Sequence, residues 1–186
     1  MHNDNINFVN MHRYQTIERI VYDKVLEYKP NSIVELGHGS GALTVAMALA
    51  LKNNDIEGII HSFDINGTQE YSLGAMKKGE SALNNIQERG LSNYVKFTKG
   101  NVFDTFISSP FHFDLLLIDI DNTWEILYDI LIKNEFINKQ IHNGSKILVE
   151  GGDPNHPRIN AKSIISPFKI THLGGSGRTS ISTLEI

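Results

Sequence analysis

Apolar residues fall in short runs, each closed by a polar or glycine-containing turn, and helical periodicity fills the intervals between them. Positions 32–36 (SIVEL), 58–64 (GIIHSFD), 95–99 (VKFTK), 113–121 (FDLLLIDID) and 146–150 (KILVE) read as strands. Between or before them, 14–27 places Ile17, Ile20, Val21 and Val25 on one face, and 41–51 (GALTVAMALAL) is apolar throughout. Both predict helices, and another is expected to start near Thr123. Alternating strand and helix patterns from Ser32 to Glu150 predict one α/β domain: a doubly wound, Rossmann-like, mostly parallel sheet. Two more strand candidates, 168–172 and 179–185, have no clear long helix between them and predict a C-terminal antiparallel hairpin. With 186 residues the chain accommodates such a domain, expected over 14–186, and no second cap domain. Residues 1–13 are expected to be a flexible arm that closes over a ligand, pairs with another subunit or stays disordered.

The turn after the first strand carries the densest chemistry: Glu35, Gly37, His38, Gly39, Ser40 and Gly41 lead directly into the apolar helix. Residues without a Cβ let the backbone bend sharply and let a ligand approach it, and the helix end offers free amides to an anionic group. The spacing alone fits two ligand classes, because Gly37, Gly39 and Ala42 also satisfy the G-x-G-x-x-A dinucleotide fingerprint. The second strand ends in Asp64, whose carboxylate can accept from two vicinal ribose hydroxyls or simply cap the Asn66-Gly67 loop. His38 is expected to contact a ligand through its backbone, with its side chain turned away.

A second cluster ends the fourth strand. Asp119 and Asp121 are two residues apart, so an extended backbone points both carboxylates to the same side. Like charges that close call for a shared hard cation or a division of labour between two ligands; alternatively, one acid caps the helix near Thr123. Glu150 ends the fifth strand, and the loop after it holds Asp153, Asn155 and His156. His156 is the nearest candidate base in these loops, or else a solvated loop residue between two prolines. His12 and Tyr14, ahead of the first helix, are weaker candidates to overhang the site.

Acidic-x-Gly-x-Gly-x-Gly at Glu35 to Gly41 resembles the first motif of the class I S-adenosylmethionine-dependent methyltransferases. The stretch FDLLLIDID followed by NTWEILYDIL resembles the fourth-strand segment of their O-methyltransferase branch, the catechol or macrocin O-methyltransferase-like enzymes, where a common form is I-D-x-D-H-x-Y-E. Asp119, Asp121, Trp124 and Glu125 match; Asn122 stands where that branch often has His or Lys. The resemblance runs from about Ser32 onward. It implies S-adenosylmethionine bound by Glu35, Gly37, His38, Gly39, Ser40 and Gly41, with Asp64 on the ribose. It also implies Asn101, in place of the usual Asp, and Val102 beside the adenine, with Asp119 near the cofactor. Catalytic candidates are Asp119, Asp121, Asn122 and His156. A magnesium ion, were one used, would be held by Asp119, Glu150 and Asp153, although Gly151 replaces a ligand common in metal-dependent relatives. The implied activity is methyl transfer to a hydroxyl of a small molecule. Two alternatives stay open: an NAD(P)-dependent oxidoreductase, which lacks a visible hydride-transfer site, and a non-catalytic S-adenosylmethionine-binding protein, suggested by Asn122 and Gly151.

A formal charge of -4, a pI near 6.0 and the lack of a basic stripe argue against a nucleic-acid partner. The Asp/Asn-Pro-Pro-aromatic signature of base-amino methyltransferases is missing after the fourth strand. With zero cysteines, neither a disulfide framework nor thiol catalysis is available. The polar start lacks the pattern of a secretory signal, and the apolar run 42–51 is too short for a membrane span, so a cytoplasmic protein without membrane partners is expected, with homo-oligomerisation left open. The stretch 174–178 (GGSGR) reads as a hairpin connection or an anion nest.

Overall fold

The computed structural model describes residues 6–9, 15–68, 81–106, 112–120, 124–133, 140–156, 169–177 and 179–185. The elements in chain order are α1 (Gln15–Tyr28), β1 (Ser32–Leu36), α2 (Ala42–Asn53), β2 (Ile59–Asp64), α3 (Ala82–Glu88), β3 (Val95–Lys99), α4 (Val102–Thr105), β4 (Phe113–Ile118), α5 (Trp124–Tyr128), β5 (Ile141–Glu150), β6 (Lys169–Ser176) and β7 (Thr179–Glu185). The strands form one sheet in the order β3-β2-β1-β4-β5-β7-β6. Strands β1 to β5 pair in parallel, and β7 joins β5 and β6 antiparallel. The expected doubly wound sheet with a terminal hairpin is the observed architecture.

The period of two along the strands sorts the core into two layers. Ile33, Ile60, Leu115, Leu117 and Leu148 face α1, α2 and α3. Val34, Leu36, Phe63, Leu116, Ile118, Ile147 and Val149 face the opposite side with Phe106, Leu127 and Ile130. Every residue of α2 from Ala42 to Leu51 is buried, because this helix lies between the sheet and α1. A helix covered on both sides has no use for a polar face, which accounts for its largely apolar sequence.

Three boundaries differ instructively from the hydrophobic pattern. Strand β5 starts at Ile141 rather than 146, with Ile141 opposite Phe113 and a register shift between Phe113 and Leu115. Residues 142–145 (HNGS) are polar and not buried, so periodicity gives no sign of them; Ser145 Oγ donating to Phe113 O at 2.8 Å helps hold them in the sheet. Strand β6 reaches Ser176, taking most of the glycine-rich stretch into the hairpin. Helix α5 is short and continues as a wider π turn at Asp129–Lys133; Thr123 lies outside the described residues.

Within the expected arm, residues 6–9 pack onto the domain. Phe8 meets Tyr22 edge to face at 5.7 Å between centroids, and Arg89 donates to Asn7 O and Phe8 O. His12 and Tyr14 lie outside the described residues. Among the described residues no helix is long and apolar enough to cross a membrane.

Chain connections leave β1 toward β2 on one side, while β4 lies on the other. The strand order therefore reverses between β1 and β4, and in open α/β sheets the carboxyl ends at such a reversal frame the ligand crevice.

Candidate active site

At that reversal the backbones of β1 and β4 run on together. Gly37 N donates to Phe63 O at 2.7 Å and Asp119 N to Leu36 O at 2.8 Å, extending the ladder one step past each strand. All three glycines of the turn have positive φ: +84° at Gly37, +48° at Gly39 and +82° at Gly41. Their surroundings differ. A Cβ at Gly37 would collide with the Asp119 carbonyl, and one at Gly41 would press on Ala82 at the start of α3. At Gly39 it would meet no atom within 4 Å. Two glycines thus allow close packing within the protein, and only Gly39 opens onto the crevice.

Asp64 clamps this turn. Its Oδ2 accepts from His38 N and Gly39 N, both at 3.1 Å, and its Oδ1 from Asn66 N at 2.8 Å. Capping its own loop and fixing the glycine turn are done by one carboxylate that is only 7% exposed. A carboxylate has about four acceptor directions, and three amides occupy three of them.

Beneath the turn lies a polar chain that the sequence reading did not assemble. Glu35, fully buried, accepts from Thr44 Oγ1 at 2.7 Å, and its Oε2 lies 2.6 Å from Ser62 Oγ. Ser62 Oγ is 2.8 Å from His38 Nδ1, and His38 Nε2 is 2.9 Å from Gly67 O. Burial pushes the Glu35 carboxyl up to about 7, against the opposing bonds from Ser62 and Thr44 and with the help of the Asp64 charge. Burial also draws the His38 imidazole below its ordinary value. Glu35 therefore does not face the crevice, and the His38 ring points into the protein against Phe97. The available signals were Thr44, a polar residue inside GALTVAMALAL, and Ser62, a polar residue in a buried strand.

At the neighbouring strand ends, Asn101 Oδ1 accepts from Phe103 N at 3.0 Å and so caps α4, while Val102 is buried. Ser40 is buried, and its carbonyl accepts from the Asn85 amide at 2.9 Å. Ile65 and Phe103 expose apolar surface beside Asp64 and Asn101. Asp119 is half-buried at the end of β4. Asp121 and Asn122 lie outside the described residues. Glu150 is buried at the end of β5, and Asp153 is bound to the hairpin. The Asp153 Oδ2 and Oδ1 accept from Gly177 N and Asn155 N, both at 2.8 Å, and these amides hold its carboxyl below the usual range. The His156 ring lies near Gly177, at the same edge of the sheet. Arg178, the last residue of the glycine-rich stretch, is outside the described residues. Among the described residues no three His, Asp or Glu side chains gather as a cation site.

Sheet order, hairpin and a glycine turn at the reversal point together define a Rossmann-like methyltransferase fold. Residues 34–149, well over half the chain, match a family model described as a methyltransferase domain, and the chain belongs to that family. Methyl transfer rather than hydride transfer is therefore its class of chemistry. Among solved structures the chain is similar to the SAH-bound Podospora anserina methyltransferase PaMTH1, with 15% identity, a TM-score of 0.65 and coverage of 96% of this chain and 82% of that one. It is also similar to TomG, the O-methyltransferase of Streptomyces achromogenes involved in tomaymycin synthesis, in complex with SAM, with 18% identity, a TM-score of 0.61 and 91% and 78% coverage. The Bacillus cereus O-methyltransferase in complex with SAH gives 18% identity, a TM-score of 0.61 and 91% and 80% coverage. At these identities the likeness is one of fold. No curated protein matches the chain by sequence.

Proposed function

We propose that this protein transfers the methyl group of S-adenosylmethionine to a hydroxyl of a small molecule. The observation that carries the reading is Gly39: it has positive φ, faces open space, and lies between two glycines closed by packing. Its turn follows β1 where the strand order reverses, and its conformation is held by Asp64. A turn kept rigid by its neighbours but bare at one point suits a ligand that must lie directly on the backbone. Three structural neighbours named as S-adenosylmethionine or S-adenosylhomocysteine complexes support that ligand. The exposed side chains of Ile65 and Phe103 offer apolar surface for its adenine.

Bound S-adenosylmethionine supplies a methyl carbon activated by the adjacent sulfonium, open to direct displacement by an oxygen nucleophile. The work left to this chain is orientation and proton removal. The bare backbone at Gly39 seats the cofactor, and Asp64 acts by fixing that turn through the His38 and Gly39 amides. Asp119, whose backbone carbonyl meets Gly37 at the end of β4, is the acid assigned to the substrate hydroxyl. His156, whose ring lies near Gly177 in the loop after β5, is the candidate base.

Titration calorimetry with S-adenosylmethionine and with NAD tests the cofactor, and binding of NAD alone would refute the reading. Turnover on a panel of hydroxylated metabolites, with and without magnesium, tests the acceptor; tight cofactor binding without any methyl transfer would refute the catalytic part.

A further inference from the structure

The polar chain under the glycine turn crosses an otherwise apolar layer between the sheet and α2. Glu35 and Ser62 are register partners on adjacent strands, which places their side chains together on one face. Glu35 and Ser62 are both 0% exposed, and His38 is 4% exposed. The Gly67 carbonyl can only accept, so the hydrogen at the far end of the chain belongs to His38 Nε2. Ser62 has one hydroxyl hydrogen for two close partners.

Two arrangements satisfy every contact. In one, Ser62 donates to an ionised Glu35 and accepts from a doubly protonated, cationic His38. In the other, Ser62 donates to Nδ1 of a neutral His38 and accepts from a protonated Glu35. Both contain the same number of protons and make the same hydrogen bonds. They differ only in separating charge, and buried charge carries a desolvation penalty that the neutral arrangement avoids. We propose that Glu35, Ser62 and His38 form a neutral hydrogen-bond chain holding one shared proton, and that this chain positions the cofactor turn without touching the ligand.

Resting on the cofactor reading above, the inference makes Glu35 and His38 positioning residues. Burial displaces both groups toward their neutral forms, in keeping with the geometry. The groups facing the chain are few among the described residues. Asp64, from the end of β2, bears on both Glu35 and His38. α2 contributes the Thr44 hydroxyl and β3 the Phe97 ring. The Lys99 methylene stem lies against Gly67.

Loss of the shared proton leaves the Nδ1 lone pair facing a hydroxyl oxygen whose hydrogen is committed to Glu35, so one link breaks and the turn loosens. Wild-type affinity for S-adenosylhomocysteine is expected to fall at alkaline pH, by up to about tenfold per unit. Glu35→Gln carries a permanent donor toward Ser62 and an acceptor for Thr44. It should bind as tightly as wild type near neutrality and lose the alkaline fall. Ser62→Ala, which interrupts the chain, should bind about tenfold more weakly.

The test combines calorimetry with S-adenosylhomocysteine from neutral to alkaline pH and 15N NMR of histidine-labelled, ligand-free protein. A neutral His38 protonated at Nε2, with the alkaline fall abolished in Glu35→Gln, supports the inference. A cationic His38 at neutral pH overturns it, as does an alkaline fall unchanged in the Gln variant. The wild-type spectrum decides even if that variant fails to fold. A neutral His38 in a protein that never binds the nucleoside removes the cofactor reading, and the positioning role with it.

Discussion

Gly37 and Asp119 meet backbone against backbone where β1 and β4 leave the sheet, so closely that residue 37 has no room for a side chain. Two residues further on, Gly39 has nothing within 4 Å of its own missing Cβ. The same residue type thus serves cohesion at one position and ligand access at the other.

That difference separates two alanine substitutions. Gly37→Ala combines a left-handed backbone with a backbone collision and should destabilise by about 3 kcal/mol or more. Gly39→Ala, at φ +48° in open space, should cost about 1 kcal/mol of stability yet sharply weaken S-adenosylmethionine binding. Urea denaturation read beside titration calorimetry checks the pair. Equal stability losses with unchanged affinity at residue 39 would show that the ligand lies elsewhere.

Burial of Glu35 gives the fold a pH slope of predictable sign. Its carboxyl is raised from 4.5 to about 7, so the folded chain keeps a proton that the unfolded chain has released. This contribution is fully present below the lower value and is lost as pH rises through the upper one. Glu35→Gln has no such slope and should be the more stable protein above neutrality, by on the order of 3 kcal/mol. Urea midpoints of both proteins at acid and alkaline pH measure it; parallel curves would contradict the assignment.

Asp114 predicts the opposite slope at the other end of the sheet. It accepts from Asn31 N at 2.7 Å, Ser32 N at 3.0 Å and His142 Nε2 at 2.9 Å. Burial works against ionisation here, but the Ser32 and Asn31 amides and the His142 ring together hold the carboxyl below its ordinary 3.8. Its stabilisation is present above that value and is lost as pH falls through the lower folded value. Asp114→Asn should cost about 1 kcal/mol at neutral pH, allowing for partial exposure, and the gap should close in acid. Thermal unfolding against pH reads it directly.

Asp64 and Asp119 should separate in a kinetic comparison. Asp64→Ala releases the amides of His38, Gly39 and Asn66, so S-adenosylmethionine affinity should drop about tenfold or more. Asp119→Ala should reduce turnover far more than cofactor affinity, because its proposed partner is the substrate hydroxyl. Equal losses of both quantities in Asp119→Ala would make it a cofactor residue.

The strands β1, β2, β3 and β7 were legible almost to the residue, because short strand-like runs stand between polar turns, whereas β4 stops at Ile118 rather than 121. The start of β5 was not. Its polar residues 142–145 stay in the sheet through pairing opposite β4 and a serine side-chain bond, neither of which leaves a periodic trace. Asn101 and Asp153 carried the right residue types for ligand contact, yet their oxygens are engaged by nearby backbone amides.

Taken alone, the sequence determined the order of the strands, the first two helices, the glycine turn at residues 37–41 and the acids at the strand ends, since these depend on local pattern and spacing. Tertiary structure decided which glycine is open, and where each acid spends its acceptor capacity. It also joined Glu35 to Ser62 and His38 across two strands. Those outcomes depend on what stands opposite each atom after parallel pairing brings residues decades apart in the chain into register, and no local pattern records that.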